Sequence, residues 1–522
     1  MLSQNQFNKK HDFAIQQLVS DGYAGCPNTL KINAYLGIFL IALATRFLNL
    51  YFIDSLTIHA NVEDSSVYFM GAKNWIESGF FSVATDTGFS DQTERMPGYF
   101  VFLIPFVSTF ENSVPFIVAT QSLVDAISCV LIARLAAFID PLLGITSGVT
   151  AALWHNTVLH SSLILTETIF LFLLCCMLVA AASFLTTSKL RYALLAGLVC
   201  GLAISTRTVA IFLPFAMAAA ALAITLYKRQ KFGRGLLAGF LVIVFCILPL
   251  TPVLERNIEK YNTIQLTSQN GVFLLNWVIG QIRATQSGQG FDAESSALNE
   301  KLSKQLQQKY ANPSSLNPFE LSKERVELAK LELESVPAAA IVKSWVKGAI
   351  QNLASPVIAI DPRVRQLNEK SFYNSKGKSI FEKALNFIAD NNPTFVIILL
   401  IGLLISLIFS VAQLCGFFLL IKRHKWAAIF GLLYVLYFLL ISGPVGSAKY
   451  RIPIEPVLII FQSVFFFLFR DHLIRAFDGT FVGAVVGAVV GAFFCCTVRR
   501  CSKIRSCTAV TFAGAVIWHV RY

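Results

Sequence analysis

The sequence predicts an all-α membrane protein that crosses the bilayer many times. Of its 522 residues, 55% are hydrophobic and only 14% are charged, and the mean hydropathy is +0.63. Apolar stretches long enough for a spanning helix of about 20 residues recur from residue 32 to residue 470. Soluble cores do not repeat such stretches, so we expect one large helical bundle with external juxtamembrane helices and a long external loop region.

The first apolar segment and the net charge place the chain in the membrane. Residues 1–31 are polar, whereas residues 32–53 have spanning length, so we expect a retained helix and no cleaved signal peptide. The net charge of +13 comes from short Lys and Arg clusters between apolar segments. Such clusters mark cytoplasmic loops. Nucleic acid is therefore not an expected partner.

The basic clusters also set the expected topology. Those near Lys189, at 228–234 and at 422–425 should all face the cytoplasm. All of these clusters fall on the cytoplasmic side only if residues 97–110 do not cross the membrane. This segment is too short to span, so we expect it to form an interfacial or re-entrant half-helix. The predicted crossings are then 32–53, 114–136, 142–158, 163–185, 191–206, 208–227, 235–253, 394–421, 426–443 and 453–469.

This topology divides the chain into five parts. They are a cytoplasmic segment (1–31), an N-terminal transmembrane module (32–253) with an external loop at 54–113, an external polar region (254–392), C-terminal transmembrane helices (393–478) and an atypical Gly- and Cys-rich tail (479–522). Within the external polar region we expect a charged amphipathic stretch at 315–335. An apolar patch at 337–360 should lie on the membrane or pack on the bundle.

Two polar motifs follow the first crossing. Glu63 and Asp64 precede a short amphipathic helix that extends to about Gly79 and should lie on the bilayer with its carboxylates toward the bundle; a solvated acidic loop is the alternative. Arg95 then precedes Pro97, which favours a helix start. A guanidinium there is able to bind a lipid phosphate in a bidentate manner, and snorkelling to lipid headgroups is the alternative.

Further polar residues fall at the same predicted side of the membrane. Glu167 lies one turn into an apolar helix, where a carboxylate is costly unless it is paired or functional. Arg207, at the junction of two helices, is either its ion-pair partner or a catalytic group. Since the cytoplasmic loops are short and poor in carboxylates, we predict a functional site on the external face.

The motifs together resemble the GT-C glycosyltransferases, in particular the protein O-mannosyltransferase and aminoarabinose transferase group. The residues that carry the resemblance are Asp64 with Tyr68 and Ala72, 95–99, Thr166 and Glu167, 201–207, 249–257 and 449–456. The resemblance covers residues 35–470 and implies a GT-C-type helical bundle. It also implies that a hexose or pentose moves from a polyprenyl-phosphate carrier to an acceptor on the external face.

The resemblance assigns roles to individual residues. The essential acidic residue of the first external loop corresponds to Asp64 with its neighbour Glu63, although the family commonly has Asp-Glu where this chain has Glu-Asp. Arg95 and Arg256 correspond to contacts with the lipid phosphate. The full predicted set is Asp64, Glu63 and Glu167 for catalysis, and Arg95, Arg207, Arg256, Tyr68, Lys449 and Arg451 for the donor phosphate and sugar.

The chemistry requires such groups independently. Attack of an acceptor hydroxyl on an anomeric carbon needs a base, which Asp64 supplies, and the departing phosphate is stabilised by preorganised cations. A single displacement inverts the anomeric configuration. Adjacent carboxylates are also a possible Mg or Mn site, but no further ligand cluster accompanies them, so we expect no essential metal.

The expected partners are a polyprenyl-phosphate sugar, membrane lipids and an acceptor that is a protein, a glycan or a lipid. The sequence contains no Asn-x-Ser/Thr sequon, which favours a bacterial inner membrane with a periplasmic active site over the endoplasmic reticulum. Two alternatives use similar features. A surface-polysaccharide polymerase or ligase shares the carrier lipid, and a multispan transporter also carries intramembrane charges, although no internal repeat typical of transporters is visible.

Overall fold

The computed structural model describes residues 32–367, 370–372, 374–377 and 379–477. The predicted cytoplasmic segment 1–31 and the predicted Gly- and Cys-rich tail 479–522 lie outside these residues. Two units are distinguished along the chain, Met1–Phe467 and Leu468–Tyr522. The elements discussed below belong to the first unit, except that the last helix, Glu455–Phe477, continues past Phe467.

Within the described residues, eight helical segments are long and apolar enough to cross a membrane. They are Ile32–Tyr51, Val114–Ala137, Glu167–Thr187, Thr208–Tyr227, Phe232–Tyr261, Pro393–Arg423, Lys425–Ser442 and Ala448–Phe467. Three shorter apolar helices, Gly98–Thr109, Pro141–Ala152 and Leu190–Thr206, accompany them. The prediction of an all-α polytopic bundle is therefore confirmed, and Gly98–Thr109 is the short helix expected at 97–110.

The predicted crossing at 142–158 is wrong as a single helix. Pro141–Ala152 ends inside the bundle, and after a break at Leu153 and Trp154 a second helix covers His155–Ser161. The carbonyl groups at such an end need donors. Arg46, which is fully buried, donates to Ala152 O at 2.5 Å and to Ala151 O at 3.4 Å. The break is possible because this side chain from the first helix caps it.

The predicted crossing at 235–253 ends too early. A helix over Phe232–Ile247 continues through a 3₁₀ turn, Leu248–Leu250, into a further helix at Thr251–Tyr261. Prolines at positions 249 and 252 do not end the helical path. Both lie in the first turn of a new helical segment, where the missing amide hydrogen is tolerated.

The segment between the first two long helices contains the amphipathic helix that the sequence predicted, over Ser65–Ser78. Gly79 ends this helix with a left-handed φ of +78° and donates its amide to Trp75 O at 3.0 Å. A two-stranded antiparallel hairpin follows, Ser82–Thr85 with Gly88–Asp91. The sequence interpretation missed the hairpin, although Thr85 to Gly88 has the turn residues that signal one.

The polar region 254–392 folds into short helices around its own small core. Its helical segments after Tyr261 are Gln269–Val272, a π-helix at Phe273–Ile279, Gly280–Ser287, Phe291–Lys309, Pro318–Glu334, Ala338–Ala354, Pro362–Arg365 and Ile380–Ala389, with 3₁₀ turns at Pro313–Ser315 and Val357–Ala359. Leu275, Leu298 and Leu328 are buried together in this region. Pro318–Glu334 is the charged helix expected at 315–335.

The apolar patch predicted at 337–360 packs on the bundle through one face of the Ala338–Ala354 helix. Trp345 donates its indole N–H to Leu440 O at 3.1 Å, and Asn352 accepts from the Ser447 amide at 2.8 Å. Val342 and Ile350 of the same helix remain 62% and 60% exposed. The helix therefore joins the polar region to the C-terminal transmembrane helices.

The predicted basic loops meet at one end of the bundle. Lys228 Nζ donates to Leu185 O at 2.6 Å, and Arg234 Nη2 donates to Ser188 O at 2.8 Å. The rings of Tyr227 and Trp426 lie 6.4 Å apart at the same end. The helix that ends at this basic cluster begins at Glu167, about 30 Å away for its 21 residues. Glu167 thus lies at the opposite end from the basic loops.

Candidate functional site

Asp64 and Arg95 face each other at the end of the bundle away from the basic loops. Asp64 is the residue that precedes the Ser65–Ser78 helix, and Arg95 lies just before the Gly98–Thr109 helix. The Arg95 Nη2 to Asp64 Oδ1 distance is 3.6 Å, and the two side chains are 19% and 47% exposed. Asp64 is therefore accessible from outside.

Close packing holds these two segments in place. Tyr68, one turn after Asp64, makes an edge-to-face contact with Tyr99 at 5.2 Å between ring centroids, and the Tyr99 hydroxyl donates to Gln121 Oε1 at 2.6 Å. Gly98 lies so close to the Leu190–Thr206 helix that a Cβ there would come within 2.6 Å of Ser205 O. The Arg95 segment is thereby fixed against the helix that leads to Arg207.

Glu63 lies between two cations from distant parts of the sequence. Its Oε2 accepts from Lys449 Nζ at 3.0 Å, and its Oε1 accepts from Arg365 Nη1 at 3.0 Å. Burial acts to raise the pKa of the Glu63 carboxyl, but Lys449 and Arg365 outweigh burial and hold that pKa below its ordinary value. Glu63 is therefore ionised, and each of its two oxygens accepts a hydrogen bond from a cation.

Glu167 and Arg207 form the fourth ion pair of this cluster. Arg207 Nη1 is 2.5 Å from Glu167 Oε1, and the side chains are 21% and 5% exposed. The charges of Arg95, Arg207, Glu167 and Asp64 all act on the buried Tyr68 hydroxyl, whose pKa is raised chiefly because the ring is buried. The Asp64–Arg95 and Glu167–Arg207 pairs therefore both lie near Tyr68, and Glu63 lies close enough to Glu167 for the two carboxylates to interact.

The cluster has an excess of positive charge. Arg95, Arg207, Lys449 and Arg365 are balanced by only three carboxylates, those of Glu63, Asp64 and Glu167. An excess cation in a partly buried cluster favours an anionic ligand.

Two of the predicted donor-binding residues have other contacts. Arg256 donates to Gln92 O at 2.9 Å and to Asn257 Oδ1 at 2.8 Å, so it supports the loop that precedes Arg95. Arg451 pairs with Glu455 at 2.8 Å, and both side chains are buried. The structure thus places Arg451 within the helix packing and Arg256 beside the cluster, whereas Lys449 contacts Glu63 directly.

Arg365 is the member of the cluster that the sequence interpretation missed. It ends the four-residue helix Pro362–Arg365 in the external polar region, 302 positions from Glu63. A charge-dense Asp-Pro-Arg-Val-Arg run at 361–365 is the only local signal. Such a run gives no indication of a partner so distant in sequence.

The carboxylates of the cluster are all paired with cations. Each of the two oxygens of Glu63 is bonded to a cation, and Asp64 and Glu167 are each paired with an arginine. Among the described residues, no group of three or more His, Cys, Asp or Glu is placed to hold a metal.

Comparison with solved structures identifies similar folds. An oligosaccharyltransferase from Archaeoglobus fulgidus, tethered to an acceptor peptide containing the NVT sequon, has a TM-score of 0.50 and 11% identity, covering 88% of this chain and 53% of that chain. A. fulgidus AglB with an inhibitory peptide and a dolichol-phosphate has a TM-score of 0.49 and 13% identity, with 88% and 54% covered. ArnT from Cupriavidus metallidurans bound to undecaprenyl phosphate has a TM-score of 0.34 and 13% identity, with 85% and 81% covered.

The likeness to the oligosaccharyltransferase at a TM-score of 0.50 shows a shared fold, and the predicted polytopic all-α bundle is confirmed. The chain spans about half the length of the oligosaccharyltransferase chains. No protein-family model matches the sequence, and no curated protein matches it.

Proposed function

We propose that this chain is a membrane glycosyltransferase that moves a sugar from a polyprenyl-phosphate donor to an acceptor hydroxyl at the non-cytoplasmic face. One observation carries the proposal. The accessible carboxylate of Asp64 lies 3.6 Å from the Arg95 guanidinium, inside a cluster with excess positive charge at one end of a bundle of the GT-C type. A base beside an anion-binding cation is the pair of groups that this transfer needs.

Asp64 is the proposed general base. As the acceptor oxygen bonds to the anomeric carbon, its proton passes to the Asp64 carboxylate, and the bond from that carbon to the phosphate oxygen breaks with its electron pair. The products are the glycosylated acceptor and the polyprenyl phosphate. A single displacement of this kind inverts the anomeric configuration.

The arginines stabilise the leaving phosphate. Arg95 is ion-paired only loosely, at 3.6 Å, so its guanidinium is able to turn from Asp64 to a donor phosphate without losing a tight contact. Arg207 is held by Glu167 at 2.5 Å, and Glu167 thereby orients a second cation. Because Arg207 is fixed before the reaction and Arg95 needs only to turn from Asp64, the two cations stabilise charge that develops on the phosphate.

The charge pattern supports a site on the non-cytoplasmic side. Lys228 and Arg234 lie at the end of the bundle opposite Glu167, and basic loops mark the cytoplasmic side. A polyprenyl carrier in the outer leaflet then presents its phosphate at the level of Arg95. For a bacterial inner membrane, this side is the periplasm, and the polar region 254–392 is the part of the chain that selects the acceptor.

The decisive experiment is incubation of the purified protein with radiolabelled polyprenyl-phosphate sugars, hexoses and pentoses in turn. We expect release of bare polyprenyl phosphate and transfer of label to an acceptor from a membrane extract. Movement of intact donor across a vesicle membrane without release would instead identify a transporter. Extension of an existing glycan as a block would identify a polysaccharide polymerase or ligase.

A further inference from the structure

Glu63 and Asp64 are adjacent, but only Asp64 is free to act as a base. Both oxygens of Glu63 accept from cations at 3.0 Å, and its side chain is 20% exposed. Asp64 is 47% exposed and has one long ion pair. A carboxylate that is already bonded to two cations accepts a proton poorly, so Glu63 needs a different explanation.

The backbone of Glu63 is unusual. Its φ angle is +52°, a left-handed conformation that is strained for a residue with a side chain. The turn is closed by Ser65 Oγ, which accepts from the Val62 amide at 3.1 Å and donates to Val62 O. Asp64 follows directly at the N-cap position of the Ser65–Ser78 helix, where its side chain makes no capping hydrogen bond. The conformation of Glu63 therefore sets where the Asp64 carboxylate points.

The two cations that hold Glu63 are themselves anchored. Lys449 belongs to the 3₁₀ segment Ala448–Ile454, which leads into the last helix. The segment that carries Arg365 is fixed because Arg363 bonds Asp361 at 2.6 Å and Asn49, at the end of the first helix, at 3.0 Å. Glu63 is thus tied to the C-terminal helices and to the external polar region at once.

We propose that Glu63 is a positioning residue and that Arg365 acts through it. The ion pairs with Lys449 and Arg365 hold the left-handed turn and so keep the Asp64 carboxylate beside Arg95. The external polar region, through Arg365, thereby contributes to the geometry of the catalytic group. This inference rests on the proposed function in that Asp64 is the base.

Substitution of Glu63 by glycine distinguishes a role of the Glu63 backbone from a role of its carboxylate in the reaction. Glycine adopts φ near +52° without strain, whereas alanine does not. If Glu63 maintains the turn, Glu63→Gly keeps kcat within about threefold of wild type, while Glu63→Ala lowers kcat about tenfold. Donor KM stays unchanged in both variants. Equal losses for glycine and alanine would show that the Glu63 carboxylate takes part in the reaction and would overturn the proposal.

A double-mutant cycle tests whether Arg365 acts through Glu63. We expect Arg365→Gln to lower kcat about fivefold in the wild-type background and less than about twofold in the Glu63→Gly background. A matched control is Lys370→Gln, which removes the exposed Lys370–Asp390 ion pair at 2.7 Å in the same region and should leave kcat unchanged. An equal loss in both backgrounds would mean that Arg365 contacts substrate directly, and the proposal would fail.

Hydrogen exchange at backbone amides tests the contact between Glu63 and Arg365 independently of sugar transfer. Amides of peptide 60–68 should exchange about fivefold faster in Arg365→Gln and Glu63→Ala than in wild type or Lys370→Gln, because the turn opens more often. Unchanged exchange would reject the positioning role even if the enzyme is active. If the wild-type protein releases no polyprenyl phosphate, the proposed function fails, while the exchange result still decides whether Arg365 and Glu63 hold the turn.

Discussion

At the scale of single residues, the site depends on how charges are paired. Asp64, Glu63 and Glu167 are all carboxylates near the same cations, but their pairs differ in length: 3.6 Å for Asp64, 3.0 Å for Glu63 and 2.5 Å for Glu167. The long, exposed pair is the one that a substrate is able to displace. This difference supports the different roles that we propose for the three carboxylates.

Asp64→Asn is expected to lower the transfer rate by about 10²–10⁴-fold, because the amide cannot accept the acceptor proton. Release of polyprenyl phosphate under single-turnover conditions measures this change. Asp86→Asn, in the exposed turn of the hairpin, is the matched control and should be fully active. Normal activity of Asp64→Asn would remove it from the role of base.

Arg95→Ala should weaken donor binding about tenfold or more, because a charge-assisted contact to phosphate is lost. Arg95→Lys should recover part of the affinity, since the charge remains but the bidentate geometry does not. Binding of a fluorescent polyprenyl phosphate to detergent-solubilised protein measures the effect, with the melting temperature as a folding control. Identical donor affinity in wild type and Arg95→Ala would place the phosphate elsewhere.

The ion pairs of Glu63 make the stability of the folded protein depend on pH. Because its pKa is lowered in the folded protein from the ordinary 4.5, its ion pairs stabilise the fold above about pH 4.5 and lose this contribution as the pH falls through the lowered pKa. The difference in melting temperature between wild type and Glu63→Gln should be constant from pH 7 to 5 and shrink below that range. A difference that grows toward acid pH would contradict the assignment.

At the scale of elements, the broken helix at Pro141–Ala152 shows how the bundle tolerates a helix end in its interior. Arg46 supplies donors to the terminal carbonyl groups and also pairs with Asp125 at 2.6 Å, with both side chains buried. Thr45 Oγ1 donates to Ala152 O at 2.7 Å as well. Polar side chains in the membrane-spanning part of the chain thus also stabilise the bundle, away from the candidate site.

Arg46→Met should therefore destabilise the protein by about 3–5 kcal/mol, since it leaves the buried charge of Asp125 unpaired. The double variant Arg46→Met with Asp125→Asn should be more stable than Arg46→Met alone, because the orphaned charge is gone. Thermal unfolding in one detergent compares the variants. If the second substitution adds to the loss, the ion pair is not the cause of the destabilisation.

At the scale of the whole molecule, the basic loops and the carboxylate cluster occupy opposite ends of the same helices, and this arrangement predicts an orientation. Cysteine introduced by Asp86→Cys should react with a membrane-impermeant maleimide on intact cells. Lys231→Cys, within the basic loop at 228–234, should react only after the membrane is permeabilised. Both positions are exposed, and labelling of the unchanged protein gives the background. The reverse pattern would place the candidate site in the cytoplasm.

Periodicity and composition were sufficient for most of the helical elements. The spanning helices, the Ser65–Ser78 helix with its end at Gly79 and the short helix at Gly98–Thr109 follow from local patterns of apolar residues, glycine and proline. The hairpin at residues 82–91 was missed because its two strands are only four residues long and mostly exposed, so they carry no apolar pattern. The break after Ala152 was missed because the apolar character continues through it.

By itself, the sequence determined that the chain is a helical membrane protein, where its main helices lie and which local motifs carry charge, because spanning length, hydropathy and turn residues are local properties. The tertiary structure alone decided which charges meet. Lys449 and Arg365 reach Glu63 from 386 and 302 positions away, while Arg451, two residues after Lys449, turns into the core to pair with Glu455. Contacts over such distances depend on how the helices pack, and packing is set by the whole chain at once.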